Sequence, residues 1–382
     1  MSSRRLWWSF VLWNSGAALS ALFIDAFLWH RTASLPLVVS YQASFFVGML
    51  LAFTACRAMS VTRMNLAAAS AFLLTVAMGW VALFQVLAVR FPTPLGLVTG
   101  LAYGLFYFAF YHALQYATTE SHDLLSSRTG LWEAAIWLAG PSLAGLWLNV
   151  AGASGYGALF AVSAVVFAVA ALIAPAAPPL FCPLPTPARP DESLPWRWLL
   201  GGLTLVGLRE GALALLPALW LFVITGQPWL LGLYGAAVAA SEASGYLFGR
   251  TLTPSIRREV LLTSSSALAL AGVVILVWAG PQPWSLIAFG TVEGAASACL
   301  RSVAEASSLD LIGSRRSGAT FAVSTKEQAL NGGRLAAMLF LLAVVSTSHL
   351  TMALSYLAWL SLLAVPAALV LRDRHGTAQA AP

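Results

Sequence analysis

The chain has 382 residues, of which 59% are hydrophobic and only 9% are charged, and its mean hydropathy is +0.82. This composition excludes a soluble globular domain and is typical of an integral membrane protein. The formal net charge of +6 does not indicate nucleic-acid binding, because the basic residues are scattered singly or in pairs at the ends of apolar runs.

The apolar runs are long and continuous, as expected of membrane-spanning helices rather than of the short alternating strands of a barrel. Breaks that carry charge, Pro or Gly separate twelve predicted spans. The spans are 7–29, 36–55, 65–89, 93–117, 127–150, 156–174, 198–224, 229–249, 260–279, 284–306, 319–346 and 350–371. The sequence therefore predicts an all-α polytopic membrane protein with twelve transmembrane helices.

The distribution of arginine predicts the orientation of these spans. If the N-terminus is cytoplasmic, fourteen arginines fall in cytoplasmic segments, and only Arg31 and Arg90 fall on the opposite side. Such an excess predicts that both termini are cytoplasmic. We expect the protein to lie in a bacterial inner or plasma membrane.

A Pro-rich break divides the chain into two halves of six spans each. The predicted domains are an N-terminal bundle over 1–174, a cytoplasmic linker over 175–197, a C-terminal bundle over 198–371 and a cytoplasmic tail over 372–382. The halves also echo each other, because Gly100 and Gly104 match Gly290 and Gly294 at an offset of 190 residues. This weak repeat favours two pseudo-symmetric bundles around a central cavity.

With six plus six spans, inside termini and a long central linker, the whole chain resembles the major facilitator superfamily of secondary transporters. Span 5 contains Gly140-Pro141-Ser142-Leu143-Ala144-Gly145, which is similar to the fifth-helix motif of exporters in that superfamily. The basic loops after spans 2 and 8, which contain Arg57 and Arg250, resemble its gating loop but lack the Asp that usually precedes the first Arg. The resemblance implies two bundles that rock around a central site, a gate that includes these arginines, and export.

Four charged side chains lie near the middle of predicted spans, where burying an ionised group costs on the order of 3 kcal/mol. They are Arg209 and Glu210 in span 7, Glu293 in span 10 and Arg334 in span 11. We expect Arg209 and Arg334 to line the central cavity, with Glu293 or Glu210 neutralising Arg334. The alternative is a buried ion pair that only fixes helix packing.

Carboxylates inside the predicted spans outnumber bases by seven to four. A carboxylate without a partner in a low-dielectric environment favours its protonated form, which is the physical basis of coupling transport to a proton gradient. We therefore predict proton coupling, with Glu293 or Glu210 as the coupling acid.

Lys326 and Glu327 lie nearer the cytoplasmic end of span 11, at a depth comparable with Glu133 in span 5. They are predicted to form and break salt bridges between the halves as a cytoplasmic gate opens and closes. Alternatively, their side chains extend to the membrane interface. Arg301 and Glu305, which are four residues apart on span 10, are expected to pair within their own helix.

Span 4 carries Tyr103, Tyr107 and Tyr111 at intervals of four residues, so the three rings share one helix face. This stripe suits an amphiphilic, aromatic or lipid-like substrate, or it is ordinary packing between helices. Asn14 and Gln42 are candidates to line the same cavity. Asp25, nearer the outer end of span 1, is expected to be hydrated.

The leading prediction is a monomeric secondary transporter that exports a small amphiphilic or hydrophobic organic molecule and needs no cofactor or metal. One alternative is a flippase of the same fold for a lipid or lipid-linked molecule, and another is a transporter-like receptor or scaffold. An enzyme is not expected. The segment Gly152-Ala153-Ser154-Gly155 matches a short pattern of membrane serine proteases, but it lies in a predicted outer loop with no His placed to act as a base.

Overall fold

The computed structural model describes residues 2–58, 65–117, 122–174, 194–252, 254–313, 319–345 and 350–372. Every secondary-structure element in these ranges is a helix. Most of the predicted linker over 175–197 and of the predicted tail over 372–382 lies outside the described residues.

The helices follow the predicted spans in order. The first half contains α1 (Ser2–Thr32), α2 (Leu35–Ala58), α3 (Leu66–Leu83), α4 (Gln85–Arg90), α5 (Pro92–Ala117), α6 (His122–Ala151) and α7 (Gly155–Ile173). The second half contains α8 (Leu194–Leu213), α9 (Leu216–Thr225), α10 (Pro228–Thr251), α11 (Pro254–Ala279), α12 (Pro283–Gly313), α13 (Ala319–Val345), α14 (Leu350–Leu362) and α15 (Ala364–Arg372). Helix α8 begins inside the segment predicted as linker.

Three predicted spans are each built from two helices. Span 3 is divided at Phe84 into α3 and α4. Span 7 is divided shortly before Pro217, and span 12 shortly before Pro366. In the latter two cases, the break follows from proline, which has no backbone N–H and clashes with the preceding turn.

The described helices account for the twelve predicted spans. By length and composition, nine described segments are apolar enough to span it, and one of them, Thr129–Ile173, contains both α6 and α7. Helices α10 and α13 are also long enough, but charged and polar residues lower their hydropathy. Adding them gives the predicted count.

The helix contacts show the pseudo-symmetry of the two halves. In the first half, α5 packs on α2 and α7 packs on α3. The corresponding crossings of the second half pack in the same way, α12 on α10 and α11 on α15. The repeated glycines lie in matching contacts, because Gly100 and Gly104 face α2 whereas Gly290 and Gly294 face α10.

Two helix pairs join the halves along their length. Helix α6 packs on α10, and α2 packs on α13. The internal repeat relates one pair to the other, because α6 corresponds to α13 and α10 corresponds to α2. The polar side chains of α8, α12 and α13 described below therefore lie close to the first half.

Candidate functional site

A buried ion pair joins Arg209 of α8 to Glu293 of α12. The Arg209 side chain has an exposed fraction of 0%, and its Nη1 also donates to the Ser297 hydroxyl at 2.8 Å. Glu293 accepts a further hydrogen bond from the Ser361 hydroxyl of α14. Helices α8, α12 and α14 supply these groups, and Gly272 of α11 also lies against Glu293.

Glu210, the next residue of α8, binds two arginines from different helices. Arg301 of α12 donates to Oε1 through Nε and Nη2 at 3.2 and 3.1 Å. Arg334 of α13 donates to Oε2 at 2.5 Å. Of the two partners predicted for Arg334, it is therefore Glu210 that neutralises its charge. The predicted pair between Arg301 and Glu305 within α12 is wrong, because packing turns the two side chains towards different helices.

Lys326 of α13 is almost fully buried and contacts two carboxylates. It forms an ion pair with Glu305 of α12, and its Nζ lies 3.3 Å from Oε1 of Glu327. The same ammonium lies 4.4 Å from the centre of the Tyr111 ring on α5, which is a cation–π contact between the halves. Within the described residues, neither Lys326 nor Glu327 pairs with Glu133, so the predicted salt bridge between the halves is not formed in this conformation.

Asn331 connects Arg334 to Glu327 on α13. Its Oδ1 accepts from Arg334 at 3.0 Å, and its Nδ2 lies 3.5 Å from Oε2 of Glu327. The resulting network contains four bases and four carboxylates: Arg209, Arg301, Lys326, Arg334, Glu210, Glu293, Glu305 and Glu327. We name these eight residues the charge network. Its formal charges sum to zero, which offsets the cost of burying each charge.

Two further carboxylates near this network have no base as a partner among the described residues. Glu133 of α6 accepts a hydrogen bond from the Tyr107 hydroxyl at 3.2 Å. Glu242 of α10 forms neither a hydrogen bond nor an ion pair with any described residue. Both remain partly accessible. The surplus of acid over base expected from the sequence is therefore concentrated at the contact between α6 and α10.

The tyrosine stripe on α5 combines the two roles considered for it. At one end, Tyr103 packs edge-on against Trp13 of α1, with the ring centres 4.6 Å apart. At the other end, Tyr107 donates to Glu133 and Tyr111 contacts Lys326. The stripe therefore begins in the core of the first half and ends against the charge network of the second.

The two polar candidates in the first half have different surroundings. Asn14 is fully buried and donates to the backbone oxygen of Phe10 in its own helix at 3.0 Å. Gln42 donates to Asp25 at 2.7 Å. Asp25 is 8% exposed, so the expectation that it is hydrated is wrong: α2 covers this part of α1.

The predicted gate is described only in part. Arg250 is exposed at the end of α10, and the side chain of Arg57 lies outside the described residues. One described contact between the halves at this end joins α13 to α2. Ser324 donates to the Phe53 backbone oxygen at 2.7 Å, and the Gln328 amide donates to the Thr54 hydroxyl at 2.9 Å.

The glycine–proline motif of α6 permits close helix contacts. A Cβ added to Gly140 would lie 2.6 Å from the Cβ of Ala18 on α1. A Cβ added to Gly145 would lie 2.9 Å from the Cα of Gly232 on α10, and one added to Gly232 would lie 2.5 Å from the carbonyl oxygen of Pro141. The motif therefore sets the distance between the halves along this pair of helices.

Comparison with known proteins identifies the fold. No protein-family profile matches the chain, and no curated protein sequence matches it. A bacterial homologue of the iron transporter ferroportin matches in its inward-facing state with a TM-score of 0.69 and 14% identity, over 98% of this chain and 99% of that chain. The outward-facing state matches with a TM-score of 0.67 and 17% identity, over 98% and 100% of the two chains. The nucleoside transporter NupG matches with a TM-score of 0.67 and 12% identity, over 98% and 99%.

The chain has the major facilitator fold. Within this fold, the contacts of α6 with α10 and of α2 with α13 form the boundary between the two bundles. The charge network lies in the second bundle, and the tyrosine stripe lies in the first.

Sequence reasoning missed several residues of the site in this fold. The spacing of Arg301 and Glu305 predicts only a pair within one helix. Ser361 and Asn331 carry no charge and gave no signal, although each binds a charged member of the network. Glu242 was visible as a charge within span 8, but its lack of a partner depends on how the helices are rotated.

Proposed function

We propose that this protein is a secondary transporter that works by alternating access, couples to protons and exports a small amphiphilic organic molecule. The solved structures that share its fold are transporters. The observation that carries the proposal is a charge network at membrane depth that contacts the other bundle through Lys326 and Tyr111. A passive scaffold gains little from such costly groups at the boundary of two bundles.

The weak polar contacts of α13 with the first bundle support alternating access. A cation–π contact and two hydrogen bonds join α13 to the first bundle at the predicted cytoplasmic end. Such contacts can separate without leaving Lys326 unpaired, because Glu305 and Glu327 belong to its own bundle. The bundles can therefore part at this end while the charge network stays neutral.

Both predicted coupling acids are paired with arginine, which favours the ionised carboxylate. Of the two, Glu210 has the more accessible surroundings. Glu293 is paired with an arginine that has no exposed surface, whereas Arg301 and Arg334 beside Glu210 are 34% and 20% exposed. Water can reach the groups around Glu210. A proton on Glu210 would release two arginines at once, which changes the charge presented to the other bundle.

The test is transport into proteoliposomes under an imposed pH gradient, with a panel of organic amphiphiles and a fluorescent phospholipid. We expect the wild type to move at least one amphiphile faster than empty liposomes do, and a protonophore to abolish the difference. Movement of the phospholipid alone would indicate a flippase instead. If no panel member moves, the transporter proposal is wrong.

The coupling role is tested with Glu210→Gln and Glu293→Gln in the same assay. We expect Glu210→Gln to weaken the dependence of transport on the pH gradient, because the amide cannot exchange a proton. The folded fraction of Glu293→Gln should retain the dependence on the pH gradient. Gradient-driven transport by Glu210→Gln at the wild-type rate would contradict this assignment.

A further inference from the structure

The contact between α6 and α10 contains acidic and hydroxyl groups that the charge network does not use. Gly130 and Glu133 are three residues apart on α6, and Glu242 and Tyr246 are four residues apart on α10, so each pair shares a helix face. The Tyr246 ring lies directly against Gly130 and occupies the space of a Cβ there. These two helix faces therefore oppose each other across the boundary of the bundles.

The two carboxylates lie at similar depth. Glu133 is 11 residues from the start of α6 at His122, and Glu242 is 9 residues from the end of α10 at Thr251. At about 1.5 Å per residue, they lie roughly 17 and 14 Å from the same end of the bundle pair. Their charges influence each other electrostatically. Two unneutralised carboxylates at this depth would repel each other if both were ionised without a cation.

A second feature of this place is a tyrosine hydroxyl without a partner among the described residues. Tyr246 is only 4% exposed, yet its hydroxyl forms no hydrogen bond to any described residue. It lies within electrostatic range of Glu242 and Glu133. A hydroxyl without a partner, on a side chain held in place by burial, is free to form a hydrogen bond with a bound group.

The bases nearest to this place are already bound. Arg301 of α12 is the base in electrostatic range of both carboxylates, and it is held by Glu210 of α8. Glu305 of α12 is also in electrostatic range of Glu133. Tyr107 of α5 donates a hydrogen bond to Glu133. Because the charge network is neutral by itself, Glu133 and Glu242 are neutralised either by protons or by a positive charge from outside the described residues.

We propose that Glu133 and Glu242, with the tyrosines Tyr107 and Tyr246, bind the positive charge of an organic cation at the boundary of the bundles. The tyrosines of the stripe are partly exposed beside Glu133 and can contact the apolar body of such a molecule. The inference rests on the proposed transport function and names its substrate class. Protons compete with the cation for the same carboxylates, so cation affinity falls as pH is lowered.

The test is equilibrium binding to the purified full-length protein in detergent without a gradient, measured by calorimetry. The probe is tetraphenylphosphonium, and the matched control ligand is tetraphenylborate, which has nearly the same shape and the opposite charge. We expect the wild type to bind the cation at least about tenfold more tightly than the anion, with weaker cation binding at lower pH. Equal affinity for the two ions, or no binding of the cation, would overturn the proposal.

The residues are tested with Glu133→Gln, Glu242→Gln and the double variant, each of which preserves side-chain shape. We expect the double variant to weaken cation binding at least about tenfold and to lose its pH dependence. Tyr246→Phe should weaken binding to a smaller degree. Glu259→Gln, which alters an exposed carboxylate on α11, should bind like the wild type.

The outcomes of the two experiments can be told apart. A double variant that binds the cation like the wild type overturns this site, whether or not transport is observed. Absence of cation binding together with transport of another panel member leaves the transporter proposal intact. Cation binding without any transport contradicts the transporter proposal and leaves the binding site.

Discussion

Replacing Arg209 by Gln should destabilise the protein more than any other single charge removal in the network. The substitution leaves Glu293 buried without a base, and the Ser361 hydroxyl remains as its hydrogen-bond donor. Removing one partner of a buried ion pair costs about 3–5 kcal/mol, because the other charge stays uncompensated. The measurement is the midpoint of thermal unfolding in detergent, which should fall by many degrees.

A double variant and a surface variant serve as controls for this prediction. Arg209→Gln combined with Glu293→Gln should recover most of the lost stability, because no buried charge is left alone. Arg372→Gln removes an arginine whose pair with Glu259 is 57% and 61% exposed, and such pairs contribute at most about 1 kcal/mol. If Arg209→Gln is as mild as Arg372→Gln, the buried pair does not stabilise the second bundle.

The second large effect is expected at Gly100, where α5 approaches α2. A Cβ at this position would overlap the backbone carbonyl of Phe45, which cannot move aside as a flexible side chain can. Gly100→Ala should therefore push the two helices apart and cost about 3 kcal/mol, at the upper end for overpacking. The yield of monodisperse protein and its thermal midpoint should both fall.

Gly79 provides the matched control for this substitution. It lies inside α3, and a Cβ added there meets nothing within 4 Å. Gly79→Ala should leave the thermal midpoint unchanged or slightly raised, since Ala favours the helix. Equal effects of the two substitutions would show that α5 and α2 are not in close contact at Gly100.

The architecture could be predicted from the sequence because it depends on local patterns. Apolar length fixes the number of crossings, and the breaks between them carry proline, glycine or charge. The glycines at 100 and 290 signalled the repeat since close helix contacts require small residues at fixed positions. Such features depend little on how each helix is rotated about its axis.

The pairing of charges could not be predicted in the same way. Arg301 and Glu305 are four residues apart and look like partners on an isolated helix. In the bundle, Arg301 reaches Glu210 on α8 and Glu305 reaches Lys326 on α13, because these neighbours lie closer in the packed structure. The hydration expected for Asp25 is wrong for a related reason. The sequence of span 1 does not show that Gln42 of α2 packs against this carboxylate.

Transport by alternating access requires the two bundles to move against each other around the charge network. Thr54 on α2 and Gln328 on α13 are in hydrogen-bond contact across the bundles, so cysteines at these positions can be joined by a short bifunctional maleimide. The background should lack Cys56, Cys182 and Cys299, because Cys56 lies beside the pair. A control pair at Arg258 and Asp310 lies within the second bundle.

The decisive measurement is gradient-driven transport of a panel amphiphile before and after this cross-linking. We predict that joining Thr54→Cys to Gln328→Cys abolishes transport, because the bundles can no longer separate at this end. The control cross-link between Arg258→Cys and Asp310→Cys should leave transport unchanged. Full transport by the protein cross-linked between the bundles would contradict the account.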